Sequence, residues 1–134
     1  MNDRPQPLPT ADSAPYWQAA LQGKLLLPKC NACSRLHFYP RNFCIHCGSR
    51  DLDWADPRGT GKIYTFTINH RPANAFMKAR VPYSVAIVEL DEGPRLLANI
   101  VDTPSEKIKC DARVQVVFER ISNQISLPQF RVVD

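Results

Sequence analysis

Two Cys-x-x-Cys pairs, Cys30/Cys33 and Cys44/Cys47, stand ten residues apart and hold four of the chain's five cysteines. Four soft thiolates in two tight turns are the ligand set of a tetrahedral structural zinc. Gly48 after the second pair lets its turn close. The alternatives are a redox couple, disulfides or an iron centre. A thioredoxin-like couple wants one pair on a strand-helix-strand unit, and no such unit is visible around these cysteines. With all four positions filled by cysteine, a zinc has no place for water, so it would fold the module and not catalyse. His37 and His46 read as surface residues beside such a closed site. Cys110 stands in a polar loop without an adjacent base and reads as incidental.

A chain of 134 residues can bury one real core, so the expectation is one domain with a small appended module. Hydrophobic residues make up 44% and charged residues 22%, which is ordinary globular composition. The formal net charge is +4, and a zinc with four thiolates would lower it to about +2. That balance does not demand a nucleic-acid-binding surface. The N-terminus lacks a basic leader followed by an apolar core, and no apolar run has the length of a membrane span. A cytoplasmic protein is expected, and in a reducing compartment paired cysteines favour metal over disulfide.

Residues 1–14 are rich in proline and poor in large apolar side chains, which predicts a flexible arm. From Pro15 a helix is expected, with Tyr16, Trp17, Ala20 and Leu21 on one face and Gly23 near its end. It leads through LLLP, a short strand, into the first cysteine pair, so that 15–54 form a helix plus zinc ribbon. Residues 55–134 then read as five strands, KIYTFTINH, YSVAIVEL, RLLANIVD, RVQVVFERI and LPQFRVVD, with DEGP as a hairpin turn. Five strands joined by one tight turn and longer loops suit a Greek-key barrel of the oligonucleotide/oligosaccharide-binding type, the OB-fold, with an open sandwich as the alternative. The fold class is therefore mostly β. Ile63, Phe66, Val85, Ile87, Leu97, Ile100, Val116 and Phe118 are the expected core.

The PYW helix, the run LLLPKCNACSRLHFYPRNFCIHCGS, the segment DWADPRGTGKIYTFT and the later PYSVAIVELDEGPRLLANIVD occur together in this chain. In this combination the sequence resembles the family of small acyl-CoA-associated proteins that join a rubredoxin-like zinc ribbon to a C-terminal OB-fold. The resemblance covers nearly everything from Pro15 onward. It implies a non-catalytic accessory subunit of a thiolase-superfamily enzyme, an acyltransferase, thiolase or lipid-transfer-protein-like retro-aldolase, with the catalytic residues on the partner. Consistent with that, the chain has no nucleophile elbow, paired-carboxylate constellation or glycine-rich phosphate loop.

Two residue sets follow as candidates. Coenzyme A carries phosphates and an adenine, which call for cations beside an apolar shelf. The loop 70–80 offers Arg71, Lys78 and Arg80 around Phe76, while Lys24, Lys29, Arg35 and Arg41 make a second basic strip on the ribbon. Tyr16, Trp17, Phe38 and Tyr39 are candidates for the partner-facing surface, because aromatic residues are favoured at interface centres. The competing functions are a single-stranded nucleic-acid-binding module and a stand-alone acyl-CoA binder. Acidic residues such as Glu89, Asp91, Glu92 and Asp102 along the later strands weigh against the former.

Overall fold

The computed structural model describes residues 4–133; residues 1–3, the start of the proline-rich arm, and residue 134 lie outside it. The elements run α1 (Ala14–Leu21), β1 (Leu27–Cys30), β2 (Leu52–Ala55), β3 (Thr60–Asn69), β4 (Tyr83–Leu90), β5 (Arg95–Ile100), β6 (Arg113–Arg120) and β7 (Ser126–Val132). Among the described residues, no helix is long and apolar enough to cross a membrane.

Pro15 stands in the first turn of α1, where its missing N–H costs nothing, and Gly23 follows the helix at φ +76°. Tyr16, Trp17, Ala19 and Ala20 are buried, so Ala19 takes the inward place expected of Leu21. The helix lies against β6 and β7 of the barrel. β1 and β2 pair antiparallel, Cys30 opposite Leu52 and Leu27 opposite Ala55, and form a small sheet that carries the cysteine turns. β2 has only four residues and no apolar alternation, so periodicity gives no sign of it.

The five later strands close into a barrel in the order β3-β4-β5-β7-β6, with β6 returning to β3. This is the Greek-key OB arrangement expected from the strand count. Closure rests on three pairs between β3 and β6, among them Gly61 with Val114, and on a parallel contact between Ile100 and Phe130. Gly61 is required where β3 meets both neighbours. A Cβ there would collide with the Glu89 carbonyl oxygen and approach Leu90 Cα to 2.9 Å. The DEGP turn joins β4 to β5, with Leu90 N–H donating to Pro94 O at 2.9 Å.

The core is built from Ile63, Ala86, Val88, Leu90, Leu96, Ala98, Ile100, Val114 and Phe130, capped by Tyr16, Trp17, Leu25 and Leu27. Ile63 and Ile100 are buried as expected, and Phe66, Val116 and Phe118 pack partly buried against the same cluster. Three expected core residues are corrected. Val85 and Ile87 are half-buried on the outer side of β4, while Leu97 on β5 is 67% exposed. β4 is apolar on both sides, so alternation could not say which face turns inward, and the pairing with β5 decides it. In β3 a register shift between Ile63 and Thr65 lets Ile63 face Val88 and Phe66 face Ala86, both buried.

Candidate metal centre and neighbouring surfaces

The cysteine turns bring the four Sγ atoms of Cys30, Cys33, Cys44 and Cys47 within 4.8 Å of one another. Cys30 Sγ lies 3.6 Å from Cys47 Sγ, and Cys33 Sγ lies 3.6 Å from Cys44 Sγ. A disulfide would need about 2.0 Å. Four thiolates at a Zn–S distance of about 2.3 Å stand about 3.8 Å apart at the corners of a tetrahedron. The spacing therefore fits a closed four-sulfur zinc site and not a pair of disulfides.

Backbone amides prepare the sulfurs for negative charge. Cys33 N–H points at Cys30 Sγ (3.4 Å) and His46 N–H at Cys44 Sγ (3.3 Å). The Cys33 amide, more than any other group, holds the Cys30 thiol below its ordinary value. At Cys44 burial opposes ionisation, yet the Cys47 and His46 amides outweigh it and bring the thiol to about 6. Cys47 receives help from the Ser49 amide, but its contact with the Cys30 sulfur and burial drive it up to about 11. The amides thus favour the thiolate at Cys30 and Cys44. A zinc ion would be held by all four sulfurs as thiolates. Zinc supplies cross-linking here, since the four cysteines leave no coordination position for substrate.

His46 is exposed as expected, its Nε2 lying 3.4 Å from Leu36 O. His37 is a correction: the ring expected at the surface is 1% exposed. Its pKa falls because burial penalises the imidazolium, with His46 and Arg41 adding repulsion. Sequence spacing gave no signal for this burial. Cys110 is exposed and away from the other cysteines.

The four aromatic candidates come together. Tyr16 stacks edge-on against Trp17 (4.9 Å between ring centroids), Phe38 (5.8 Å) and Tyr39 (5.8 Å). Tyr16 and Trp17 belong to the core, while Phe38 and Tyr39 are half-buried against it. All four line one groove of about 340 Å³ on the outside of the barrel, together with Val85, Leu97, Leu127 and Pro128. Burial is the main reason the Tyr16 phenol sits far above its ordinary pKa.

The loop candidates divide. The Arg80 guanidinium donates to Glu119 Oε2 at 3.0 Å and lies 5.4 Å from the Phe76 ring centroid. Arg4, from the arm, approaches the same ring at 5.1 Å and pairs with Glu119 at 2.9 Å. Phe76 and Arg80 are thus part of a clamp between arm, loop and barrel. Arg71 and Lys78 project into solvent. On the ribbon strip, Lys24 pairs with Asp56 at 3.5 Å, and Lys29, Arg35 and Arg41 are exposed.

Residues 17–53 match the family model described as "ChsH2, rubredoxin-like zinc ribbon domain", and residues 54–119 match "ChsH2, C-terminal OB-fold domain". The chain belongs to the ChsH2 zinc-ribbon/OB-fold family. A probable enoyl-CoA hydratase alpha subunit from Thermomonospora curvata is 37% identical over 128 residues, covering 96% of this chain and 40% of that protein. This chain therefore spans well under half the length of that curated relative. A DUF35 domain-containing scaffold protein from Pyrococcus furiosus is 36% identical over 107 residues, covering 79% of this chain and 77% of the relative. Among solved structures, a chain of the Ltp2-ChsH2(DUF35) aldolase superposes with a TM-score of 0.83 at 35% identity. The match covers 95% of this chain and 98% of that one. Cys30, Cys33, Cys44 and Cys47 lie within the matched zinc-ribbon domain and are positioned to bind its metal ion.

Proposed function

We propose that this ChsH2-family chain is a non-catalytic accessory subunit that docks onto a thiolase-superfamily or lipid-transfer-protein-like enzyme acting on acyl-CoA or related acyl substrates. The observation that carries this reading is the outer groove of the barrel. There Leu97 stands 67% exposed beside Val85, Leu127 and Pro128, over a floor of Tyr16, Trp17, Phe38 and Tyr39. An apolar strip with buried aromatic support and an exposed aliphatic centre is what a protein interface offers. The aromatic residues act by shaping that floor, and Leu97 is the side chain a partner would cover. The names of two relatives agree with the reading, one a scaffold protein and the other part of an aldolase complex. In this arrangement zinc holds Phe38 and Tyr39 against the helix, and the ribbon serves docking. Arg71 and Lys78 are the loop cations free to meet the phosphates of a CoA thioester at the complex edge.

The test is co-expression with a thiolase-like protein encoded beside this chain, followed by purification and assay on CoA thioesters. A stable complex with altered turnover is expected. A chain that purifies alone and leaves the enzyme's rate unchanged would remove the subunit reading.

A further inference from the structure

Between β3 and β4 the chain leaves the barrel for a loop whose short 3-10 turn is Phe76–Ala79. Its backbone is closed by bonds internal to the loop: Met77 N–H donates to Asn74 Oδ1 at 2.9 Å, and Arg80 N–H to Met77 O at 2.9 Å. The tie to the barrel is a side chain, the Arg80 guanidinium donating to Glu119 Oε2 on β6 at 3.0 Å. Such a loop, with its backbone bonds turned inward, belongs to the easily opened end of a structure.

The N-terminal arm adds the second hold. Arg4 grips the same carboxylate with both terminal nitrogens, Nη1 to Oε2 at 2.9 Å and Nη2 to Oε1 at 3.4 Å. It also covers the Phe76 ring at 5.1 Å, while Arg80 approaches that ring at 5.4 Å. The Arg4 side chain is 18% exposed against 41% for Arg80, so water screens the arm's pair less. The anchor is itself fixed, since Gln129 Nε2, on a residue buried in β7, lies 3.4 Å from Glu119 Oε1. Pro5, Pro7 and Pro9 follow Arg4 in the arm. Alternate prolines favour an extended, semi-rigid strap, which lowers the entropy cost of holding Arg4 at a distance from the helix.

The loop so held is also a wall. Met77 and Arg80 face Ile68, Ser84, Ile100 and Ile108 across a cavity of about 340 Å³ at the barrel mouth, distinct from the Leu97 groove.

We propose that the proline-rich arm is a latch: Arg4, seated on Glu119 and Phe76, holds the 74–80 loop as the closed wall of the barrel-mouth cavity, and its release frees that loop and opens the cavity. The latch is a property of the chain by itself and does not depend on the accessory-subunit reading.

The experiment compares the zinc-loaded full chain with Arg4→Ala by amide hydrogen exchange and by methyl NMR in the presence of a neutral gadolinium chelate. Exchange at Met77 and Arg80 should quicken about fivefold or more in Arg4→Ala, the loss expected from one partly screened ion pair and one cation–ring contact. The Ile68, Ile100 and Ile108 methyls should relax faster as the chelate gains access, while amides of the barrel strands keep the parent's exchange rates. Leu8→Ser, at an arm residue 87% exposed, is the control and should leave loop and cavity unchanged. Loop exchange in Arg4→Ala equal to the parent's, cavity methyls no more accessible than before, faster exchange spread evenly over the barrel, or the same effect from Leu8→Ser would each overturn the proposal.

Discussion

The indole Nε1 of Trp17 donates a 2.9 Å hydrogen bond to the Tyr39 hydroxyl, tying the N-terminal helix to the loop between the two cysteine pairs. Trp17 is buried against the barrel, so the bond also fixes how the ribbon sits on the β-domain. Zinc and hydrogen bond act in series: the metal orders the loop that presents Tyr39, and Tyr39 receives the helix.

Removing the acceptor alone should be felt. Tyr39→Phe leaves the Trp17 N–H buried without a partner, a loss of about 1–3 kcal/mol. Trp17→Ala removes the ring itself and should cost about 3–5 kcal/mol. Urea denaturation followed by tyrosine fluorescence or circular dichroism measures both. Equal stability of Tyr39→Phe and the parent would show that the bond contributes nothing to the joint.

Metal removal should separate the ribbon from the barrel. Cys30→Ser or Cys47→Ser is expected to lower bound zinc from about one ion per chain to near none, because each takes one of four ligands. Chelation should have the same effect, and loss should deepen as pH falls, since protons compete for the thiolates. Zinc analysis with amide NMR checks this: ribbon resonances 24–54 should collapse while the strands of the barrel keep theirs. Full zinc content in Cys47→Ser would contradict the four-sulfur site.

How much of this was legible beforehand depends on which interaction decides each feature. The cysteine spacing carries its own chemistry, and the five barrel strands announce themselves by apolar runs between turn residues. The facing of β4 and β5 is different. Val85, Ile87 and Leu97 are as apolar as Ala86, Val88 and Leu96, so only the closed barrel selects Ala86, Val88 and Leu96 as core. The shift between Ile63 and Thr65 is likewise a property of the pairing with β4. His37 gave no local sign of burial, because its exposure of 1% is set by tertiary packing and not by residue type or spacing. Nor could Arg4 and Glu119 be joined in advance, being 115 residues apart in the chain.

That long-range pair gives a pH prediction. Burial works against the Glu119 carboxylate, but the guanidinium groups of Arg4 and Arg80 overcome it and hold its pKa at about 2. The unfolded chain has an ordinary glutamate, about 4.3. A group whose folded pKa is depressed stabilises fully above the unfolded value and loses that contribution as pH falls toward the folded one. Glu119→Gln should therefore be less stable than the parent at pH 7, and the two denaturation midpoints should converge between about pH 4.3 and about pH 2. A difference that stays constant over that window would place the effect elsewhere than in the ion pairs.

The docking reading makes a demand that folding does not. Leu97 is exposed, so replacing it with aspartate should change stability by no more than about 0.5 kcal/mol. If Leu97 is the centre of the partner surface, the same change should weaken the complex by about 2 kcal/mol or more, roughly thirtyfold in Kd. Val85→Asp, on the facing strand and in the same groove, should act in the same direction. The loop supplies the contrasting pair. Arg71→Ala with Lys78→Ala should leave assembly intact and reduce turnover of CoA thioesters by the complex. Arg80 is kept out of that variant, because its guanidinium is held by Glu119 and its loss would disturb the clamp around Phe76. Surface plasmon resonance against the purified partner, with steady-state kinetics on the assembled complex, separates the two effects. Normal assembly by Leu97→Asp would exclude the barrel groove as the interface while leaving the loop assignment standing on its own kinetics.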